Sequence, residues 1–185
     1  MGTRFFPRSI PAAALLAAGG AALVGCAAGG GSKSESRVVQ PSVAATMIDT
    51  AGAPVGTASI VQTQFGGVLV LKLSRLAPGP HGLHVHANGA CDPPSFTSAG
   101  PHLNPANRKH GLQNPEGPHL GDLPNITAGA NGAVDTTITL GAALFKPDGI
   151  GGARRALVVH AGPDDMMTDP AGNSGGRIAC GVLER

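Results

Sequence analysis

The stretch 87–122 constrains this chain more than any other. It is dense in Pro, Gly, Asn and His, and it shows neither strand alternation nor a helical period. A structureless loop of that length inside a compact domain is unusual and normally functional. Its surroundings read differently. Strand-like pieces fall at 42–48, 56–62, 67–73, 82–86, 125–128, 133–140, 156–160 and 177–182, separated by turn residues. Asn131-Gly132, between two of them, is a hairpin signal because both residues tolerate positive φ. A second irregular stretch covers 161–176. With 29 Gly, 16 Pro and no Trp or Tyr in 185 residues, the composition favours strands and long loops over packed helices. The expectation is all-β: about eight short strands in an antiparallel sandwich or barrel, with two long functional loops.

A different composition precedes this region. Arg4 and Arg8 supply a positive start, and 12–24 is apolar and small but too short to span a bilayer, as in an export signal. Leu23-Val24-Gly25-Cys26 resembles the lipobox of bacterial lipoproteins, where cleavage leaves the cysteine as a lipidated N-terminus. A secretory signal with a chance cysteine is the plainer alternative. The expected organisation is a lipoprotein-type signal peptide at 1–25, a lipidated Cys26 with a flexible tether at 26–37, and one domain at 38–185. The expected location follows: exported, anchored to a membrane, facing the periplasm or the cell exterior.

Charge and cysteines fit that picture. Removing the signal takes two of 13 basic residues and leaves 11 against 11 acidic. No basic cluster points to nucleic acid. With Cys26 assigned to lipid, Cys91 and Cys180 remain as a pair, and in an oxidising compartment a disulfide is the first expectation.

All seven histidines lie between 81 and 160. His102, His110, His119 and Asp122 make a complete ligand set for tetrahedral zinc, provided the long loop folds back on itself. A metal there would order a loop that has no core of its own. His84 and His86 in HGLHVH point the same way only on a strand. His160 ends another strand and offers a third nitrogen; His102 is the nearest fourth. Four imidazoles suit Cu(II), and the two ring nitrogens of His102 could serve both metals. Taken singly, each histidine has a bland explanation, and His81 keeps its own as a buried, hydrogen-bonded structural residue. Six together with Asp122 do not.

HGLHVH (81–86), SAGPHLNP (98–105), RKHG (108–111), HLGDL (119–123), LVVHAGPDD (157–165) and GNSGGRIACGV (172–182) resemble copper–zinc superoxide dismutase, in order and to the C-terminus. The resemblance implies a Greek-key β-barrel, with one copper and one zinc per chain as cofactors. It implies copper on His84, His86, His102 and His160, and zinc on His102, His110, His119 and Asp122, with His102 as the bridge. It also implies that Asp164 links a copper histidine to a zinc histidine, that Arg177 is the active-site arginine, and that Cys91 and Cys180 form the intrasubunit disulfide.

The implied activity is dismutation of superoxide to dioxygen and hydrogen peroxide. In it, Arg177 attracts the anion, and His102 releases reduced copper, takes a proton and delivers it to peroxide. This would protect an extracytoplasmic compartment. Two features depart from animal and plant members: a second loop confined to 161–176 without lysine and carrying Asp164, Asp165 and Asp169, and an insertion at 92–96 that is more like bacterial members, whose dimer contacts differ. A homodimer is left open. The runner-up is a non-catalytic copper- and zinc-binding protein on the same fold. Metal-assisted hydrolysis ranks third, since a histidine bridge leaves no obvious position for a shared water.

Overall fold

The computed structural model describes residues 42–185. The expected signal peptide, the expected lipid site at Cys26 and the expected tether fall outside the described residues. Extended structure covers β1 (Val43–Asp49), β2 (Pro54–Thr63), β3 (Gly66–Leu73), β4 (Gly79–His81), β5 (Leu83–His86), β6 (Ile126–Ala128), β7 (Val134–Gly141), β8 (Arg155–His160) and β9 (Arg177–Leu183). Seven strands form one antiparallel sheet in the order β5-β8-β9-β1-β2-β3-β7, and β4 pairs with β6. The neighbours β9–β1 and β3–β7 are far apart in sequence, which is the crossover of a Greek key.

The eight expected strands become nine segments because the run 79–86 changes partner at Gly82. Before that residue the chain pairs with β6; after it, with β8. This joins the small ladder to the large sheet, while β6 leads through a turn into β7 at the opposite edge, so the sheet curls into a half-barrel. Alternating side chains fill its interior: Val43, Ala45 and Met47 of β1, Leu69, Leu71 and Leu73 of β3, and Leu157 and Val159 of β8 belong to one buried apolar cluster.

The hairpin expected around Asn131-Gly132 is corrected. A turn is present, with the Gly129 N–H donating to the Ala133 carbonyl at 2.9 Å, but β6 pairs with β4 and β7 with β3. Gly132 has φ +73°, whereas Asn131 is not left-handed and instead accepts the Ala133 N–H on its side chain. A type I′ turn needs both central residues at positive φ; here only the second has it, and the flanking strands pair with other partners.

The stretch 87–122 folds back along the free edge of β5. The Val85 N–H donates to the Gly121 carbonyl at 2.8 Å, and the Leu103 N–H donates to the Val85 carbonyl at 2.9 Å. Isolated bridges set Asp122 opposite His84 and His102 opposite His86. An edge strand with unpaired backbone groups is a liability; here the loop satisfies those groups and in doing so delivers its own ligand residues. All four residues of β5 are therefore buried, with Leu83 and Val85 in the core and His84 and His86 beneath the loops.

Candidate metal centre

Four imidazoles converge from three places. His84 and His86 come from β5, His160 ends β8, and His102 comes from the folded-back loop. One nitrogen from each lies within 4.8 Å of the others. A register shift between Val159 and His160 brings His160 opposite Arg177 of β9, as bulges do when they re-aim a side chain beside a site.

In each ring the second nitrogen is already engaged. His84 Nε2–H donates to Asp164 Oδ2 at 2.8 Å, His86 Nδ1–H to the Gly100 carbonyl at 2.8 Å, and His160 Nδ1–H to the Gly175 carbonyl at 3.0 Å. His102 Nδ1 faces Asp122 Oδ1 at 3.1 Å. The opposite nitrogens, His84 Nδ1, His86 Nε2, His102 Nε2 and His160 Nε2, are buried and have no hydrogen-bond partner among the described residues. Buried polar atoms are rarely left so, and four such imidazole nitrogens brought together form a donor set that suits copper.

Burial favours the neutral form of His84, His86 and His160, as ligands require. Desolvation by burial pushes His86 down to about 2 and His160 to about 4, and it lowers His84. Carbonyls and the Asp164 carboxylate pull the other way without reversing the shift.

The second set lies next to the first. His102 Nδ1, His110 Nδ1 and His119 Nδ1 face Asp122 Oδ1 at 3.1, 3.1 and 3.3 Å. Asp122 Oδ2 accepts the Gly111 and His119 backbone N–H groups, each at 2.9 Å. Burial alone would raise this carboxyl, but hydrogen bonds from His102 and Gly111 and the nearby imidazoles bring it down to about 2. His110 presents Nε2 to Asp164 Oδ1 at 3.0 Å and Nδ1 to Asp122 at 3.1 Å. A neutral imidazole has one N–H and cannot donate to both carboxylates. A divalent cation between the Nδ1 atoms and Asp122 resolves the conflict, and the donor chemistry fits zinc.

By ligand-atom distance His84 also falls in this group, with His102, His110 and Asp122. Its Nε2 is held by Asp164 and its Nδ1 belongs to the first set, whereas His119 Nδ1 lies 3.4 Å from His102 Nδ1 and turns toward Asp122. His119 is thus the better fourth member. His102, reaching one set through each nitrogen, joins them.

Asp164 spans the two clusters and is itself clamped: Asn125 Nδ2–H donates to the Asp164 carbonyl at 2.8 Å, and the Asp164 N–H donates to Asn125 Oδ1 at 2.9 Å. Arg177 is partly buried beside the first set, donating to the carbonyls of Phe96 at 2.5 Å and Gly100 at 2.6 Å. Gly100 thereby joins Arg177 to His86. Burial lowers the Arg177 pKa, yet a guanidinium stays charged at physiological pH. The Cys91–Cys180 disulfide ties the loop to β9, and Phe96, fully buried, packs in the same cluster as Cys180 and Ala99. His81 lies apart from both sets, its ring nitrogens 2.8 Å from the His160 and Ala77 carbonyls.

Gly100 lies in the SAGPHLNP motif and Phe96 in the 92–96 insertion, yet the sequence assigns no role to either or to Asn125. Their work passes through backbone atoms or packing, which leaves no pattern of chemistry-bearing side chains.

The chain is similar to known proteins. The family described as copper/zinc superoxide dismutase (SODC) matches residues 55–183. The Cu-Zn superoxide dismutase 1 of Aquifex aeolicus is 45% identical over 150 residues, covering 76% of this chain and 86% of that protein. The crystal structure of a SOD-like protein from Bacillus subtilis superposes with a TM-score of 0.68 at 35% identity, over 76% of this chain and 97% of that one. The Cu/Zn superoxide dismutase from Brucella abortus gives 0.63 at 35% identity, over 76% and 98%. The chain belongs to the copper/zinc superoxide dismutase family. By homology it is an enzyme of the Cu–Zn superoxide dismutase class.

Proposed function

We propose that one copper is held by His84, His86, His102 and His160, one zinc by His102, His110, His119 and Asp122, and that the centre converts superoxide to dioxygen and hydrogen peroxide. The observation that carries this reading is the set of four buried, unpartnered nitrogens brought together, with the His84, His86 and His160 rings each fixed by a bond on the far side. Copper, when bound, supplies the electron exchange, taken from one superoxide and returned to a second, while zinc supplies charge and geometry without redox change.

The remaining work belongs to the chain. Arg177 supplies a fixed positive charge beside the copper set, which attracts and orients a small anion. Its two carbonyl partners hold the guanidinium in place, so little is reorganised when the anion arrives. His102 Nε2 is the protein atom that can hold a proton next to the reacting oxygen whenever it is not a ligand. Asp164 keeps the His84 and His110 rings in the tautomers that this requires.

The N-terminus extends the proposal. Arg4, Arg8 and the apolar segment would export the protein, Cys26 would carry lipid, and the tether would leave the enzyme facing the periplasm or the cell exterior. The Cys91–Cys180 disulfide supports an oxidising compartment.

Arg177→Ile separates the enzyme from a metal carrier. Copper and zinc content should stay unchanged while the second-order rate with superoxide falls at least about tenfold, or roughly 1.4 kcal/mol of transition-state stabilisation. Equal rates at equal copper content would favour the carrier.

A further inference from the structure

Metal-binding imidazoles almost always donate their second N–H to an outer partner, which fixes the ring and raises its basicity. Two of the three imidazoles around Asp122 have an evident assignment for the far nitrogen. His110 Nε2 meets Asp164 Oδ1 at 3.0 Å, and His102 Nε2 belongs to the copper set. For His119 the far nitrogen faces Asp169: Nε2 lies 3.8 Å from Asp169 Oδ1. The same oxygen accepts the His110 backbone N–H at 2.7 Å. One carboxylate oxygen of the second loop therefore addresses two of the residues in the zinc set.

The setting fits that role. Asp169 and Pro170 help line a groove that opens on His102 and His119, with Arg108 also on its wall. Asp169 and His119 line that groove together. Lys109 Nζ, 3.8 Å from Asp169 Oδ2, is half-exposed and leaves Oδ1 to the two histidines. Asp165, by contrast, is spent within its own loop on the Met167 and Thr168 N–H groups and Asn173 Nδ2. Asp164 already serves His84 and His110. Of the three acidic residues in this loop, Asp169 alone can reach His119.

We propose that Asp169 is a positioning residue for the zinc set, holding His110 through its backbone and His119 through its Nε2–H, so that the second loop latches zinc at a point separate from Asp164. At 3.8 Å the contact with His119 is longer than a hydrogen bond; it acts as a charge that favours the polarised, metal-bound imidazole and closes when Nε2 carries the proton. Without it, His119 would be the ligand that swings into the groove first, and zinc would leave by that route while copper stays.

The inference rests on the zinc set proposed above, and the test keeps the two apart. Full-length protein loaded with copper and zinc is mixed with a chromogenic chelator, and zinc and copper release are followed separately. Asp169→Ala should release zinc about tenfold faster, the lower end for loss of such a partner, with copper release within twofold of wild type. Asp169→Asn keeps an acceptor for the His110 N–H and loses the charge, so it should fall between the two. Cobalt(II) placed in the zinc set should show shifted visible bands in both variants, because those bands respond to how His119 meets the ion. Zinc bound by wild type and released equally by all three proteins, or superimposable cobalt spectra, would overturn the role of Asp169 alone. Parallel acceleration of zinc and copper release would also overturn it, as loosening of the whole loop. Wild type that takes up copper but no zinc would overturn the ligand set and, with it, this inference.

Discussion

Asp164 shows how much one side chain does at the residue scale. Its two oxygens take His84 and His110, its backbone is clamped by Asn125, and Oδ1 also accepts the Met166 N–H at 2.6 Å. A Cβ on Gly172 would stand 1.8 Å from Asp164 Oδ1 and 2.7 Å from His110 Nε2, and Gly172 has φ +62°. Only glycine fits there without moving the carboxylate. Gly172→Ala should therefore weaken both metal sets together, by about ten- to a hundredfold in affinity. Competition titrations with zinc and copper chelators would show it, with circular dichroism confirming the fold. An effect on zinc alone would mean that the carboxylate moves without disturbing His84. Asp164 was legible in the sequence through its spacing from His160 in a family motif. Asn125 was not, because its amide recognises a backbone and any nearby backbone looks alike in sequence.

At the scale of elements, the long loop is secured at both ends by different means. Residues 101–103 and 121–122 are stitched to β5 by backbone bonds, while Cys91 is joined to Cys180 of β9 across a sequence separation of 89 residues. Phe96 and Gly100 lie between these anchors and present the carbonyls that hold Arg177. Cys91→Ser should therefore cost stability and function at once. Urea denaturation should show a loss of about 2–4 kcal/mol, and the superoxide rate should fall at unchanged metal content as Arg177 loses its fixed partners. Loss of stability with an unaltered rate would show that β9 alone positions the arginine. The strands themselves were nearly all legible, since alternation marks a half-buried strand directly. The exceptions have one cause. β4 looked like a Pro/Gly turn because only its partner β6 makes Gly79-Pro80-His81 extended, and the expected hairpin dissolved because β6 and β7 each found a better partner. Pairing across long sequence distances leaves no local mark.

At the scale of the whole molecule, the fold encloses many imidazoles that it keeps neutral, and this sets how stability depends on pH. Desolvation by burial is the largest cause in each: His86 is pushed down to about 2, His160 to about 4, and His84 and His119 are also lowered. In an unfolded chain the same rings take up a proton near ~6.5. Between these values the unfolded state binds more protons than the folded one, so stability rises with pH through that window and is lost as the pH falls through it. Asp122 and Asp164 act lower down. Burial would raise both carboxyls, but the histidine and backbone donors outweigh it and bring each to about 2, so their contribution is present above about 4 and lost below. Metal-stripped protein should show its highest urea midpoint above about pH 7, a decline from about 6.5 to 4, and a further decline below that. Loaded with copper and zinc, the same protein should hold its midpoint to lower pH and then fall more steeply, because protons must displace metal from the ligands before the rings can charge. A midpoint that rises as metal-stripped protein is acidified from pH 7 to 5 would mean that the folded cluster takes up protons more readily than the open chain. The rings would then be held as imidazolium cations that repel metal, and the convergence of lone pairs on which the copper set depends would not exist.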